Sequence, residues 1–363
     1  MNPEANRLAK SPSPHDAWRA WGPYVSSRQW GTVREDYSPD GEAWTYFPHE
    51  HARSRAYRWG EDGIFGLCDR EQRLCFAPTF WNGADPILKE RFFGLTGPQG
   101  NHGEDVKEEY WYLEAAPTAS WLRALYRYPQ RAFPYEQLVA ENAKRGPLDP
   151  EYELRDTGIF AEGRFFEIEV AYAKVAPDDI LIRLTAKNCG PDQAPLWILP
   201  TLWFRNRWTW DPARPKTTSL GTSSTALLTA QDESLGAWLL EGPTPGEILF
   251  TENETNNTLL FGTPDASPFT KDAFHRHLVG GEKGAVNPAK VGTKAAAVYH
   301  FNLAPGTSAT LEMRLRSARA TSRVDFRQVM TTRGRECVEY YDTIAAPSLD
   351  SAKRQIQQQA LAG

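Results

Sequence analysis

Acidic residues come in doublets along the first third of the sequence: Glu35/Asp36, Glu61/Asp62, Glu104/Asp105 and Glu108/Glu109. Arginines are interleaved with them at Arg34, Arg53, Arg55 and Arg58. Two carboxyl groups roughly 6.5–9.5 Å apart across a sugar-sized opening can act as acid and base in inverting glycoside hydrolysis. Successive residues of a strand face opposite ways, so no doublet is such a pair by itself. Salt bridging to the interleaved arginines is the expected role of these acids, with sugar-hydroxyl binding as the functional alternative. His49 and His51 form an H-x-H pattern that could grip a metal, but no third ligand follows at a recognisable spacing. No metal or other cofactor is expected. The nucleophile elbow, the P-loop and the dinucleotide-binding glycine pattern are all absent.

The densest cluster is Trp30–Gly63, with three Trp, three Tyr, four Arg and seven carboxylates but almost no aliphatic residues. A packed core is not built this way, and a disordered tail does not carry so many aromatics. Within it Arg55, Arg58, Trp59, Glu61 and Asp62 crowd around Gly60 and Gly63. The glycines suit a tight turn, and an arginine beside an indole offers stacking and a fork for carboxylates. The segment reads as an interface, and Arg34, Glu35, Asp36, Arg55, Arg58, Trp59, Glu61 and Asp62 are its candidate contact residues. A second candidate stretch, Asn101–Glu114, reads as a loop entering a strand. Its polar head (His102, Glu104, Asp105) could reach a ligand, while Tyr110, Tyr112 and Leu113 pack.

The elements that must carry these groups are mostly strands. The chain has 363 residues and a net charge of −5, which excludes a basic field for nucleic acid or anionic lipid. No eighteen-residue apolar run exists to span a membrane, and no leader-like apolar run opens the sequence; a cytoplasmic location is expected. Thirteen Trp suit a large β-rich core, stacking platforms for sugar rings, or both. The four cysteines form no CxxC pair, so free buried thiols are expected, with a Cys68–Cys75 bridge as the alternative.

Residues 1–16 are polar and read as a disordered lead, and a short helical turn is expected at 16–22. Helical spacing covers Tyr135–Lys144, with Gly146 as a stop. From Tyr152 the period is two. Phe166, Ile168, Val170 and Tyr172 alternate with polar or small residues. After a turn at Ala176–Asp179, Ile180, Ile182 and Leu184 do the same, which predicts a hairpin with one buried face. Ala194–Phe204 reads as a central strand, and Trp238–Leu240, Glu247–Thr251 and Thr258–Phe261 as short ones. Ala295–Asn302 and Ser308–Arg316 read as a final hairpin. Helices are predicted over Asp325–Ile344 and Ser348–Ala362. Many closely spaced short strands give the fold class: mainly β, a large antiparallel β-sandwich over 17–320 with peripheral helices, followed by a helical linker over 321–363.

Three long runs carry a family resemblance. RQWGTVREDYSPDGEAWTYFPHEHARSRAYRWGEDGIFG (28–66), WNGADPILKERFFGLTGPQGNHGEDVKEEYWYLEAAPT (81–118) and YPQRAFPYEQLVAENAKRG (128–146) resemble the N-terminal region of bacterial glycoside hydrolase family 63 proteins, relatives of processing α-glucosidases. The resemblance covers about Trp21 to Gly363. It implies a sandwich that precedes an (α/α)6 barrel, with the inverting acid and base on the barrel. No position of this sequence matches either catalytic residue. The implied partners are that barrel, in cis or in trans, and an oligosaccharide with α-linked glucose. The implied role is the non-catalytic sandwich of an α-glycosidase, inactive alone; the rival readings are a stand-alone carbohydrate-binding module and a complete small enzyme using one of the carboxylate pairs above.

Overall fold

The computed structural model describes residues 2–11, 13, 17–24, 38, 40–41, 49–58, 63–95, 99–100, 105–211, 213, 216 and 218–363. In chain order the elements open with α1 (Pro3–Ala9), β1 (Trp21–Tyr24), α2 (His49–Ala52), β2 (Gly66–Asp69), β3 (Leu74–Trp81), β4 (Gly94–Leu95), β5 (Asp105–Val106), β6 (Glu109–Ala115), β7 (Trp121–Pro129) and α3 (Tyr135–Asn142). They continue with β8 (Phe165–Ala176), β9 (Asp179–Asn188), β10 (Ala194–Phe204), β11 (Ser219–Gly221), β12 (Leu228–Asp232), β13 (Gly236–Glu241), β14 (Glu247–Thr251) and α4 (Asn257–Phe261). The last are α5 (Ala273–Leu278), β15 (Lys294–Leu303), β16 (Ser308–Ser317), α6 (Phe326–Ile344) and α7 (Ser351–Ala362).

The strands form two large antiparallel sheets. A six-stranded sheet runs β1-β2-β3-β10-β15-β14, and an eight-stranded sheet runs β11-β12-β13-β16-β9-β8-β7-β6. The predicted mainly β sandwich is therefore the observed architecture. The alternating residues of β8 and β9 set the register: Ile168 opposes Ala186 and Val170 opposes Leu184. In the next pairing Leu184 opposes Leu311 and Ile182 opposes Met313. All seven are buried and meet Phe76, Phe80, Leu196, Ile198 and Leu202 of the facing sheet. Every residue of β10 except Pro195 and Trp197 is buried, as befits an interior strand covered on both faces.

Three sequence expectations are corrected. The lead is not wholly disordered: α1 occupies 3–9, with Asn2 capping the amides of Glu4 and Ala5 and Pro3 in the first turn. Glu4 is fully buried, where it accepts from Thr118 N, Thr118 Oγ1 and Ser120 Oγ. Residues 257–261 are helical rather than extended, because Asn256 Oδ1 caps Leu259 N at 2.9 Å and Asp265 accepts from Thr258 N. β15 and β16 do not pair as a hairpin. β15 pairs with β10 and β14, while β16 pairs with β9 and β13, so the chain crosses from one sheet to the other at 304–307.

The two C-terminal helices pack back on the eight-stranded sheet. Met330 and Cys337 of α6 are buried against Ala171, Ala173 and Leu181, with Phe326 and Val329 beside them. Arg7 of α1 ties the N-terminus to α6 through Glu336 at 2.6 Å. Cys68 and Cys75 oppose each other across β2 and β3, and all four cysteines carry free thiols. Among the described residues no helix is long and apolar enough to cross a membrane.

A buried lysine locks the junction of these parts. Lys174 is 1% exposed, and its Nζ donates to the carbonyls of Trp18 (2.7 Å), Trp21 (2.6 Å) and Thr118 (2.9 Å). Replacing it by methionine would leave those three acceptors without that donor in a dry setting. Lys174→Met is expected to lower unfolding free energy by about 2–4 kcal/mol in denaturant titration. A loss below about 0.5 kcal/mol would show that water takes over the ammonium's role.

Candidate functional site

The site begins with Lys89, the first of three charged residues set between Ile87-Leu88 and Phe92-Phe93. Its backbone is pinned to the end of β3, with Lys89 N donating to Phe80 O at 2.9 Å and Phe80 N returning to Lys89 O at 3.1 Å. The side chain is 2% exposed and passes over the Phe133 ring, with Nζ 3.7 Å from its centre. Nζ then donates to Glu108 Oε1 at 2.9 Å and Tyr135 Oη at 2.8 Å, and stands 3.6 Å from Asp85 Oδ2.

Both carboxylates are themselves surrounded by donors. Glu108 accepts from Phe93 N at 3.0 Å and from Tyr126 Oη at 2.8 Å. Asp85 accepts from Tyr128 Oη and from Tyr135 Oη, each at 3.0 Å. Burial raises the Glu108 pKa, and Lys89 together with the Phe93 and Tyr126 hydrogen bonds recovers only part of that. Burial and the adjacent carboxylates push Tyr126, Tyr128 and Tyr135 well above their usual range, which keeps them protonated as donors. The Glu108/Glu109 doublet is split as strand geometry requires: Glu108 faces this cluster, while Glu109 pairs with Arg127 at 3.1 Å and with Arg155.

Beside this cluster lies a cavity of about 300 Å³. Its walls are Glu50 and Arg53 at α2, residues 87–91 and Phe93, Gln99, and Tyr135, Glu136, Val139 and Ala140 of α3. The lining is mainly apolar, with guanidinium donors and carboxylate acceptors at its edges. Glu90 is not free to do acid–base work, since it is 7% exposed and held by Lys294. Arg91 is committed to Tyr57 Oη at 2.6 Å. What remains is a cavity of about 300 Å³, within the size range that small ligands use.

The structure places the predicted site residues unequally. Arg34, Glu35, Asp36, Trp59, Glu61, Asp62, His102 and Glu104 lie outside the described residues, as does the Asp105 side chain; the Asp105 backbone pairs with Leu95. Arg55 sits with its guanidinium 5.7 Å from the Phe261 ring centre, and Arg58 is exposed with its carbonyl accepting from Arg205 Nη1 at 3.2 Å. The described part of the aromatic-rich segment is fastened to the chain's own 255–272 stretch. Lys271 Nζ donates to Arg55 O at 2.6 Å, Ser54 Oγ to Asp272 Oδ2 at 2.7 Å, and Ala56 N to Thr255 Oγ1 at 3.0 Å. Gly63 ends the segment at φ +112°, where a Cβ would lie 2.8 Å from that of Ala77. Only glycine fits that approach.

Sequence reasoning missed Lys89, Asp85 and Tyr135. The available signal was a charged Lys89-Glu90-Arg91 triplet set between Ile87-Leu88 and Phe92-Phe93, which marks charges carried into the interior only if partners wait there. It also missed His275, whose Nδ1 accepts from Leu88 N at 3.3 Å behind the cavity wall. Burial and then the positive charge of Arg53 lower the His275 pKa from its ordinary 6.5 to about 4, with Asp272 opposing.

Comparison with known proteins adds one close sequence relative. No family model matches the chain. It is 39% identical over 407 aligned positions to the uncharacterized protein YMR196W of Saccharomyces cerevisiae, a match covering 99% of this chain and 37% of the yeast protein. The chain thus spans just over a third of the length of that curated relative. Among solved structures it resembles a polysaccharide lyase at 11% identity and TM-score 0.29, covering 72% of this chain and 28% of the lyase. It also resembles a candidate aldose 1-epimerase of Escherichia coli K12 at 11% identity and TM-score 0.30, covering 66% and 82%. Overlaps this small carry no argument about fold or activity.

Two outcomes test the site's electrostatics. Lys89→Met leaves two carboxylates buried without their cation and should cost about 3–5 kcal/mol in denaturant titration. Adding Glu108→Gln should restore part of that loss, whereas simple additivity of the two would show that Lys89 and Glu108 are not coupled. For His275 the unfolded chain takes up its proton near pH 6.5 and the folded chain near 4. Stability is therefore lost as pH falls through that window. His275→Asn, whose Oδ1 can take over as acceptor for Leu88 N, should flatten the dependence of Tm on pH there; an unchanged profile would contradict the assignment.

Proposed function

We propose that this chain is the β-sandwich portion of a carbohydrate-processing enzyme of the glycoside hydrolase family 63 kind, and that its cavity serves the handling of α-linked gluco-oligosaccharide. One observation carries the reading. The three runs that bear the family resemblance are separated in sequence, yet every residue lining the cavity comes from them: Glu50 and Arg53 from the first, 87–99 from the second, 135–140 from the third. The mixture of apolar wall, guanidinium donors and carboxylate acceptors suits a sugar's alternating C–H faces and hydroxyls. Glu90 and Glu108 are spent on buried lysines, so in this reading the acid and base belong to a catalytic domain that the sandwich braces. The yeast relative's greater length is consistent with such an arrangement.

The test uses the full-length gene product and α-gluco-oligosaccharides of different linkages. Ala140 is exposed at the cavity wall, so Ala140→Arg should obstruct the opening without disturbing the core. It is expected to lower kcat/KM by about tenfold or more, roughly 1.4 kcal/mol of transition-state stabilisation, at unchanged Tm. Oligosaccharide binding without any turnover would favour the stand-alone binding module instead. Neither binding nor turnover of any α-glucoside would sink both readings.

A further inference from the structure

A second opening of about 380 Å³ lies at the end of the sandwich, where the β2–β3 turn, the chain leaving β10 and the β12–β13 turn come together. Its walls include Arg73, Arg205, Arg207, Thr218, Glu71 and Glu233. From this groove we infer a binding site for a small hydroxylated oxyanion, a sugar phosphate or a sugar acid. The inference is independent of the function proposed above, since it shares no residue with the first cavity.

Unspent donors carry the argument. Arg205 donates through Nε to Gln72 O at 3.1 Å, through Nη1 to Arg58 O at 3.2 Å and through Nη2 to Glu71 O at 2.9 Å. These acceptors are main-chain carbonyls, so they orient the guanidinium without neutralising it, and two of its five N–H groups are left over. Arg207 stands on the same wall and, among the described residues, makes neither an ion pair nor a hydrogen bond. Thr218 Oγ1 is buried with no partner. A buried hydroxyl without a partner is costly unless something binds there, and it lines the same groove as the two guanidinium groups. Burial, and after it the like charge of Arg207, lower the pKa of Arg205, with Cys75, Asp69 and Cys68 opposing.

Among the described residues no carboxylate of the groove pairs with Arg205 or Arg207. Asp232 is spent within its own turn, on Ser234 N at 2.9 Å, Ser234 Oγ at 2.7 Å and Leu235 N at 2.7 Å. Arg73 is held by Asp69 at 3.0 Å and by Ser234 at 3.1 Å, and its contact with Glu71 is long at 3.7 Å. Glu71 and Glu233 therefore remain as acceptors on the rim, suited to ligand hydroxyls while Arg205 and Arg207 take the anionic group. Trp208 does not act as a stacking platform: it packs on the core, its Nε1 donates to Glu254 at 2.9 Å, and Lys216 lies over its ring. That arrangement is why the charge, rather than a sugar face, defines the ligand.

Calorimetric titration of the full chain with glucose 6-phosphate, glucuronate and glucose tests the inference. At least one of the two anions should bind at millimolar concentration or better, more weakly as salt is raised, and glucose should not. Binding of glucose 6-phosphate alone identifies a phosphate ester, binding of glucuronate alone a carboxylate, and binding of both a general oxyanion site. Arg207→Ala should weaken the bound anion by about tenfold or more at unchanged Tm, and Thr218→Val should weaken it less. Failure of both anions to bind, equal binding of glucose, or undiminished binding by Arg207→Ala would each overturn the assignment.

Discussion

The ammonium of Lys89 is the interaction on which the site depends. Burying a cation is expensive unless it is both paired and hydrogen-bonded. Glu108, Asp85 and Tyr135 meet that cost together, and each comes from a different part of the chain. Satisfying Lys89 therefore fixes the start of β6, the connection after β3 and the start of α3 relative to one another. These are the parts that enclose the first cavity, so its shape follows from the need to neutralise one charge. Asn82 adds to this by donating to Pro129 O at 2.7 Å, tying the β3 end to the β7 end.

The same economy governs the rest of the molecule. Lys174, Lys271 and Lys294 are each nearly inaccessible, and each ends on main-chain carbonyls or a carboxylate rather than in water. They stitch segments that the sheets alone would not order: the N-terminal turn, the 52–55 stretch and the loop before α5. In the groove, Arg205 keeps to this pattern by ending on main-chain carbonyls, while Arg207 departs from it, with no ion pair or hydrogen bond among the described residues. The contrast is what makes it stand out as a site rather than as part of the scaffold.

Much of the sandwich was legible from alternation alone. β8, β9 and β16 read correctly because one face of each is wet, so period two is written directly into Phe166–Tyr172, Ile180–Leu184 and Leu311–Leu315. β15 showed no such alternation: Lys294–Tyr299 is buried throughout. That difference between two neighbouring strands was the sign that they belong to different sheets, and an Ala-Pro-Gly turn serves a crossing as well as a hairpin. The helix at 257–261 was hidden because side-chain caps from Asn256 and Asp265 outweigh the extended preference of a short Thr-Leu-Leu-Phe run. The α1 signal, Asn2-Pro3-Glu4, was present but was overridden by the polar composition around it. For the site, the acidic doublets drew attention to Glu108, but its partner Lys89 is a residue type that composition rules place on the surface. Nothing local in the sequence announces that residues 50, 89 and 139 meet; that is a product of the tertiary fold.

The central claim is that the three resembling runs converge to handle carbohydrate. Hydrogen–deuterium exchange on the full-length gene product, with and without an α-gluco-oligosaccharide that it binds or turns over, tests this most directly. The account predicts added protection in all three stretches together, 50–58, 87–93 and 135–140, with the 308–317 strand unchanged as an internal reference. Binding or turnover that leaves those three stretches as exchangeable as before would contradict it.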